Sequence, residues 1–471
     1  MSELNQKTSG RENVFSEETD LKRDLGLLEA VSIVISRIIG SGIFRTPAPI
    51  MALVMSTALF GTVWLIGAVI TLFGAVCYAE LVAMMPRSGG PYVFLREAYG
   101  PLWTFLRGWA MFFVSETGAI AAVSLVFAEY SIELYMLSSG NQLDVITTRA
   151  TIVILSLLVI WIHTAINMRG VHLSGIVQVI VSSAKVIALG LVIAVCFTGG
   201  TGNWGNFTSP VWPEEFNWGT VLAVGAALRY AFFAYSGWEG ATYVAEEVKN
   251  PRKNLPLSLI IGILGVLLLY AGANAAYLYQ LPMARFVKAD QIAVDAVKMA
   301  VGGAGGILIS LAVMLNTFGN VSTQILVKAR TWQAMARDGL FFKGCAKLHP
   351  VYKTPNRALM LQGMWATVLL LFASVETYSY EAVIDFFTLT GTVFNIMTFG
   401  SIFILRKKYP DAPRPFKAWF YPWSVIVIIL VYSIFFIITL ITAFVPSLLG
   451  IGLTATGLFY YYRKQIAALF R

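Results

Sequence analysis

Two glycine-rich interruptions of long apolar segments contain the groups best suited to bind a small zwitterion. The first is residues 38–44 (IIGSGIF), and the second is residues 233–240 (FAYSGWEG). Glycine costs about 1 kcal/mol relative to alanine inside a helix, so both segments are expected to unwind. Unwinding exposes amide groups that attract a carboxylate and carbonyl groups that attract an ammonium. For the first segment taken alone, the alternative is close packing of helices through small residues.

Charged residues inside the apolar segments form a second set of candidates. Lys185 lies deep in an apolar run and is interpreted as functional, the alternative being that its ammonium extends to the membrane surface. The other charges of this kind are Arg37, Glu116, Arg229 and Glu239. A charge at the bilayer centre costs at least about 2.5–3.5 kcal/mol, so partners are expected. Pairing of these acids with these arginines is favoured; an arginine that faces an anionic substrate and a proton-coupling acid are the alternatives.

The elements that position these residues are membrane-spanning helices. Of 471 residues, 57% are hydrophobic and 13% are charged, and the mean hydropathy is +0.72, whereas a soluble domain has about 25% charged residues. The apolar residues form stretches of about 20 or more, which cross a hydrocarbon core of about 30 Å as helices. The sequence predicts an all-α integral membrane protein whose about twelve helices occupy roughly residues 25–52, 56–84, 100–136, 149–166, 173–198, 218–247, 255–280, 304–335, 356–375, 381–406, 420–443 and 446–463.

Basic residues alternate between the loops, and this pattern predicts the orientation. They precede the first helix and follow every even-numbered one: Lys22, Arg23, Arg87, Arg96, Arg169, Lys249, Arg252, Lys253, Lys343, Lys347, Lys353, Arg406, Lys407, Lys408, Arg414, Lys417, Arg463 and Lys464. The positive-inside rule places both termini in the cytoplasm, with residues 1–24 and 464–471 as cytosolic tails. The net charge of +9 is therefore attributed to topology, and the partner is a lipid bilayer rather than a nucleic acid.

Cysteine and histidine are too few and too scattered for a disulfide framework, a metal site or an acid–base cluster. The residues are Cys77, Cys196, Cys345, His163, His172 and His349. A P-loop for ATP is also missing from the sequence. No cofactor is expected, and a membrane enzyme or an ATP-driven pump is disfavoured. A secondary transporter is the favoured function, and a transporter-like receptor stays open.

The motifs around both interruptions resemble those of the amino acid–polyamine–organocation transporters, specifically the L-amino acid transporter branch. Residues 38–44 match the branch's IIGSGIF, and residues 233–238 are similar to its FAYGGW, with Ser236 in place of a glycine. Further matches are YAEL at 78–81, SGGPY at 88–92, the EE…NP..NLP loop at 246–256, and ARDGL at 336–340. Arg37 departs from the branch, which has a small or hydroxyl residue there. The resemblance covers residues 24–463.

The resemblance implies a fold of five plus five inverted helices (25–198 and 218–406), with helices one and six broken and two further C-terminal helices (420–463). It implies that the amides of Ser41 and Gly42 hold a carboxylate and that Phe233 gates the site. The ammonium would be held by the carbonyls of Ile38, Phe233, Ala234 and Ser236. The implied substrate-binding set is Ile38, Ile39, Gly40, Ser41, Gly42, Phe233, Ala234, Ser236 and Gly237. Lys185 would replace a bound cation.

The implied function is secondary transport of L-amino acids by alternating access, as a sodium-independent exchange of neutral amino acids. Proton-coupled symport and transport of an anionic amino-acid-like metabolite are alternatives. The substrate side chain is expected near Ser115, Asn316, Phe394 and Asn395. Animal members of the branch join a single-pass partner through a cysteine in the loop after the third helix, and residues 137–148 contain none. A carrier that works alone, a monomer in the bacterial inner membrane, is therefore expected.

Overall fold

The part of the chain that the structure describes is an all-α bundle. The structure, a computed structural model, describes residues 14–19, 23–169, 172–208, 210–213, 215–352, 354–375 and 380–469. The predictions for Lys22, Lys353 and most of the N-terminal tail fall outside these residues. Within them, extended pairing is limited to one bridge between Leu25 and Val248. This result confirms the predicted all-α class.

Each predicted span corresponds to one helix or to a broken series of helices. In chain order they are Leu27–Ile38 with Gly42–Arg45 and Pro47–Val54, Thr57–Met84, Pro101–Ala110 with Met111–Ser115 and Glu116–Ser139, Val145–Met168, His172–Thr198, Trp218–Ala234 with Trp238–Glu247, Pro251–Gln280, Gly303–Arg337, Asn356–Val375, Tyr380–Lys408, Trp423–Thr442, and Phe444–Leu469. We number these spans one to twelve. Among the described residues, ten helices are long and apolar enough to cross a membrane, by length and composition. The ten do not include spans six and nine.

Short helices in the connections were not predicted from the sequence. They are Pro91–Tyr99, Trp204–Thr208, Met283–Phe286, Ile292–Val301 and Lys343–Ala346. The first of them begins at a proline, which suits the first turn of a helix because that turn needs no amide donor. These segments are shorter than a membrane span, so hydropathy alone does not reveal them.

The breaks in spans one and six lie against each other. A Cβ on Gly42 would be 2.6 Å from the Cα of Ala234, and a Cβ on Gly237 would be 2.8 Å from the carbonyl oxygen of Arg37. Gly237 also has a φ of +96°, which favours glycine. Glycine is therefore required where the two interrupted helices approach most closely. The predicted repeats, 25–198 and 218–406, stay a prediction.

Loops that follow the even-numbered spans meet at one end of the bundle, which we call the charged end. Its ion pairs include Arg87–Glu246, Arg96–Asp338, Arg330–Glu247 and Arg406–Glu80, at 3.0, 2.6, 2.8 and 2.7 Å. Tyr92 also donates a hydrogen bond to Asp338, and burial together with this carboxylate raises the pKa of Tyr92, so its hydroxyl stays protonated. The described loops that follow odd-numbered spans lie at the other end. Arg45 pairs with Glu129, and Lys298 pairs with Glu133, toward that end.

Candidate functional site

The first break leaves helix carbonyls that side chains from other spans satisfy. The last carbonyls of a helix have no intrahelical partner. The Lys185 ammonium, on span five, donates to the carbonyls of Ser36 and Ile39 at 2.8 and 3.0 Å. The Asn320 side-chain amide, on span eight, donates to the same two carbonyls at 3.2 and 3.4 Å. A buried cation therefore lies at the negative end of the half-helix Leu27–Ile38, where the helix dipole stabilises it.

The second break is closed mainly by its own residues. The amide and the hydroxyl of Ser236 both donate to the carbonyl of Phe233, at 3.0 and 2.7 Å. Gly237 then turns the chain into the segment Trp238–Glu247. Ser236 stands where the L-amino acid transporter motif FAYGGW has a glycine, and it is the side chain of this serine that adds the second bond to Phe233. The carbonyl of Phe233, one of those predicted to hold an ammonium, thus has two local donors.

One hydroxyl connects the two breaks. Tyr270, on span seven, places its hydroxyl oxygen 2.9 Å from the carbonyl oxygen of Ile38 and 3.2 Å from that of Ala234. The ring is fully buried and stacks on Tyr235 with centroids 5.3 Å apart. A hydroxyl has one proton to donate, so it bonds to one of these carbonyls at a time. An ammonium bound at these carbonyls would share them with Tyr270.

A cavity of about 180 Å³ lies between the breaks. With about 30 Å³ for each water in the liquid, its size suits a small molecule. The predicted site residues that line it are Arg37, Ile38, Gly40, Ser41, Gly42, Ser115, Glu116, Arg229, Phe233, Ser236, Gly237, Glu239 and Asn395. Ile39 and Ala234 lie in the breaks but are buried outside this lining. The structure therefore brings together most of the residues that the sequence pointed to.

Two residues predicted for the side-chain pocket lie elsewhere. Asn316 lines a separate apolar cavity of about 640 Å³ between spans five and eight, which Lys185 also lines. Asn320, one helical turn later, lines the cavity between the breaks. Phe394 lies under the guanidinium of Arg107, 5.7 Å from the ring centroid to Cζ. Sequence alone did not fix the rotation of span eight, which decides between the two asparagines.

Buried charges form an alternating network beside the cavity. The Arg37 guanidinium lies 3.5 Å from Glu116. The Lys328 ammonium lies 2.6 Å from Glu116 and 3.6 Å from Glu239, and 3.8 Å from the ring centroid of Tyr243. The Lys328–Glu116 contact is a charge contact without hydrogen-bond alignment. These contacts join span one, span three, span eight and the second break. The predicted pairing of acids and arginines is present for Arg37 with Glu116.

Arg229 has different neighbours from Arg37. Its guanidinium donates to the hydroxyl of Thr442 at 2.8 Å, at the end of span eleven, and lies 5.8 Å from the ring centroid of Tyr230. Arg229 and Arg37 line the same cavity but contact different spans. The structure thus places both arginines at one cavity, Arg37 beside Glu116 of span three and Arg229 beside Thr442 of span eleven.

A π-helical turn sets the direction of Glu116. The turn covers Met111–Ser115, and the amide of Glu116 donates to the carbonyl of Met111, five residues earlier. Turns of this kind insert one extra residue into a helix and are frequent at functional sites. Here both Ser115 and Glu116 line the cavity.

Four functional candidates were missed in the sequence: Lys328, Arg107, Tyr270 and Asn320. Lys328 did carry a signal, because an ionisable residue inside a span is a functional candidate by default. Its closeness to Arg330 and Arg337 made the segment resemble the end of a helix. Arg107 was hidden in the same way by its position near the start of span three. Tyr270 and Asn320 are ordinary residues in their segments, and only packing reveals their partners.

Comparison with known proteins gives a consistent family. The model of the family described as amino acid permease matches residues 25–468. The chain is 30% identical to the serine/threonine exchanger SteT of Bacillus subtilis, over 95% of this chain and 98% of that protein. It is also 30% identical to the human large neutral amino acids transporter small subunit 2 (94% and 80% covered) and 29% identical to the mouse Asc-type amino acid transporter 1 (93% and 80%). This chain therefore belongs to the amino acid permease family of membrane transporters.

Proposed function

We propose that this chain exchanges neutral L-amino acids across a membrane by alternating access. The observation that carries the proposal is the cavity between the two breaks, because it presents the start of one helix and the carbonyl ends of two others to one small space. The named relatives, an exchanger of serine and threonine and transporters of neutral amino acids, support this substrate class. The family consists of transporters, so the chain is not an enzyme.

The zwitterion binds along the breaks in this proposal. Ser41 and Gly42 begin the helix Gly42–Arg45, and the first amides of a helix attract a carboxylate. The carbonyls of Ile38, Phe233 and Ala234 attract the ammonium, in competition with the hydroxyls of Tyr270 and Ser236. Phe233, which lines the cavity and is partly buried, closes over the substrate. Lys185 supplies the positive charge that a sodium ion would otherwise bring to the first break.

The chain is a multi-pass membrane protein, and we place the charged end in the cytoplasm. Support comes from the meeting of the basic even-numbered loops at that end, together with the positive-inside rule. Both termini then lie in the cytoplasm. The protein itself lies in the plasma membrane of a bacterium. We further propose that the carrier works as a monomer without a disulfide-linked partner, since the loop at 137–148 has no cysteine.

Counterflow tests the function. The purified protein is reconstituted in liposomes, which are loaded with unlabelled serine or left empty, and uptake of labelled serine, alanine and leucine is measured. Exchange predicts uptake into loaded liposomes and little into empty ones. Uptake into empty liposomes that requires an inward proton gradient would instead establish symport. Binding without accumulation in either case would favour a receptor and would contradict the proposal. Liposomes without protein provide the blank.

A further inference from the structure

Among the described residues, the walls of the cavity carry more positive than negative charge. Two of its lining arginines, Arg37 and Arg107, and the adjoining Lys328 face two carboxylates, Glu116 and Glu239. Arg229 also lines the cavity, but its guanidinium donates to Thr442 of span eleven, and it is not one of these five residues. One positive charge is therefore uncompensated among these five residues, and a zwitterionic substrate brings no net charge. In a low-dielectric site this surplus attracts an anion strongly.

Donor groups on both arginines lack partners. Arg37 is 8% exposed and Arg107 is 6% exposed. Only one nitrogen of Arg37, Nη2, contacts Glu116, and its Nε and Nη1 are buried without a hydrogen-bond partner among the described residues, as is Nε of Arg107. Arginine does not lose its proton at usable pH, so these donors cannot be relieved by deprotonation. Buried donors of this kind normally have an acceptor.

Position separates these donors from the amides proposed for the α-carboxylate. Those amides belong to Ser41 and Gly42, on the far side of the first break from Arg37. Arg37 instead lies against the second break, where a Cβ on Gly240 would be 2.8 Å from its Cγ. Arg107 lies on span three beside Phe394. An anion held by these arginines is therefore a second group, distinct from the α-carboxylate.

We propose that the cavity binds a second anionic group beside Arg37 and Arg107, in addition to the α-carboxylate of the substrate. This inference rests on the proposed function, because it takes the substrate to be an amino acid. A carboxylate or an inorganic anion suits the guanidinium donors, which form charge-assisted hydrogen bonds to both. The anion has two sources: an acidic side chain of the substrate itself, or a free ion such as chloride that binds together with a neutral amino acid.

The experiment uses reconstituted wild-type protein and two arms. In the first arm, unlabelled glutamate and glutamine, and aspartate and asparagine, compete with exchange of labelled serine. Each acid differs from its amide mainly in charge, so the ratio of the two inhibition constants reports the anion site. In the second arm, chloride is replaced by gluconate on both sides, and chloride is then titrated back while serine exchange is measured.

Variants assign either effect to the arginines. Arg107→Gln and Arg37→Gln remove the charge, and Arg107→Lys restores it. Arg45→Gln is the matched control, because Arg45 lies on the same interrupted span as Arg37 but pairs with Glu129 outside the cavity. Both readouts are ratios within one variant, so differences in expression cancel.

Three results are distinguishable. A preference for acids over amides of about tenfold or more, which falls toward one in Arg107→Gln but not in Arg45→Gln, identifies the substrate side chain as the anion. This result keeps amino acid exchange as the function and replaces the neutral substrate class by an acidic one. Equal inhibition by acids and amides, with a severalfold loss of exchange in gluconate that Arg107→Gln no longer shows, identifies a free anion. Equal inhibition and full exchange in gluconate by the wild type overturn the inference but leave the proposed function intact. Absence of exchange for every amino acid in chloride overturns the proposed function itself.

Discussion

The two breaks differ in what holds them. In the first, side chains from spans five, seven and eight bond to the free carbonyls, and one of these side chains is the Lys185 ammonium. In the second, Ser236 donates to the carbonyl of Phe233 from within the break. Tyr270, from span seven, bonds to the carbonyl of Ala234. The free carbonyls of the first break are thus bonded to the surrounding bundle, whereas the Phe233 carbonyl of the second break is bonded from within the break.

From this difference we infer that the two breaks have different roles in transport. We propose that the first break, held in place by three other spans, provides a constant geometry for the α-carboxylate, the part of the substrate that never varies. The Phe233 carbonyl of the second break is bonded by Ser236 from the same segment, so we expect this break to respond to the substrate. The following substitutions test this contrast, starting with the largest expected effect.

Gly42→Val removes the contact between the breaks. A Cβ at Gly42 would lie 2.6 Å from the Cα of Ala234, so the two interrupted helices must separate. We expect uptake to be abolished while the protein is still made at a normal level. Gly61→Val is the control, because no atom lies within 4 Å of a Cβ at Gly61. Wild-type transport by Gly42→Val would show that close approach at the first break is not needed.

Lys185→Ala removes the cation from the first break. We expect a loss of most transport, about tenfold or more, since two helix carbonyls lose a charged donor. Wild-type exchange should persist when choline replaces sodium, because in the proposed function the Lys185 ammonium supplies the charge that a sodium ion would bring. Lys298→Ala, which affects a lysine paired with Glu133 away from the cavity, serves for comparison. A strict sodium requirement in the wild type would rule out this role.

Glu116→Gln removes the carboxylate of span three that lies between Arg37 and Lys328. Removal of one member of a buried ion pair typically costs about 3–5 kcal/mol, so we expect a lower yield and a lower midpoint of thermal unfolding in detergent. The partly exposed acid in Glu133→Gln should change stability by about 1 kcal/mol or less. In the double variant Glu116→Gln with Lys328→Met, part of the lost stability should be recovered, because the buried ammonium that was left without Glu116 is removed as well. Equal stability of both single variants would contradict a structural role for the network.

Tyr270→Phe removes only the hydroxyl between the breaks. A hydrogen bond contributes about 1 kcal/mol, so we expect a change in transport of about fivefold at normal expression. Tyr277→Phe is a matched control seven residues later in span seven, because the buried hydroxyl of Tyr277 has no hydrogen-bond partner among the described residues. A larger effect in Tyr277→Phe than in Tyr270→Phe would contradict the proposed link between the breaks.

Local signals in the sequence were sufficient for the breaks and for the spans. A glycine pair or a charge inside an apolar stretch can be recognised from the residues next to it in the sequence. The helix ends agree with the predicted ones to within about four residues for most spans. Partners across the bundle depend on how each helix is rotated. Asn316 and Asn320 are equivalent by sequence pattern, but they line different cavities. The bond of Tyr270 to both breaks likewise follows from packing that no single segment encodes.

The π-helical turn at Met111–Ser115 also has a consequence for the register of span three. Because one residue of an α-helix corresponds to a rotation of about 100°, the extra residue puts the two halves of this span out of phase. The half before the turn presents Arg107 to the cavity. The half after it presents Glu116 to the cavity and, farther along, Glu129 to Arg45. Deletion of a single residue within the turn would restore a regular helix and rotate every later side chain of the span by one step. Length at this point, rather than the identity of any one residue, therefore determines whether both halves face their partners.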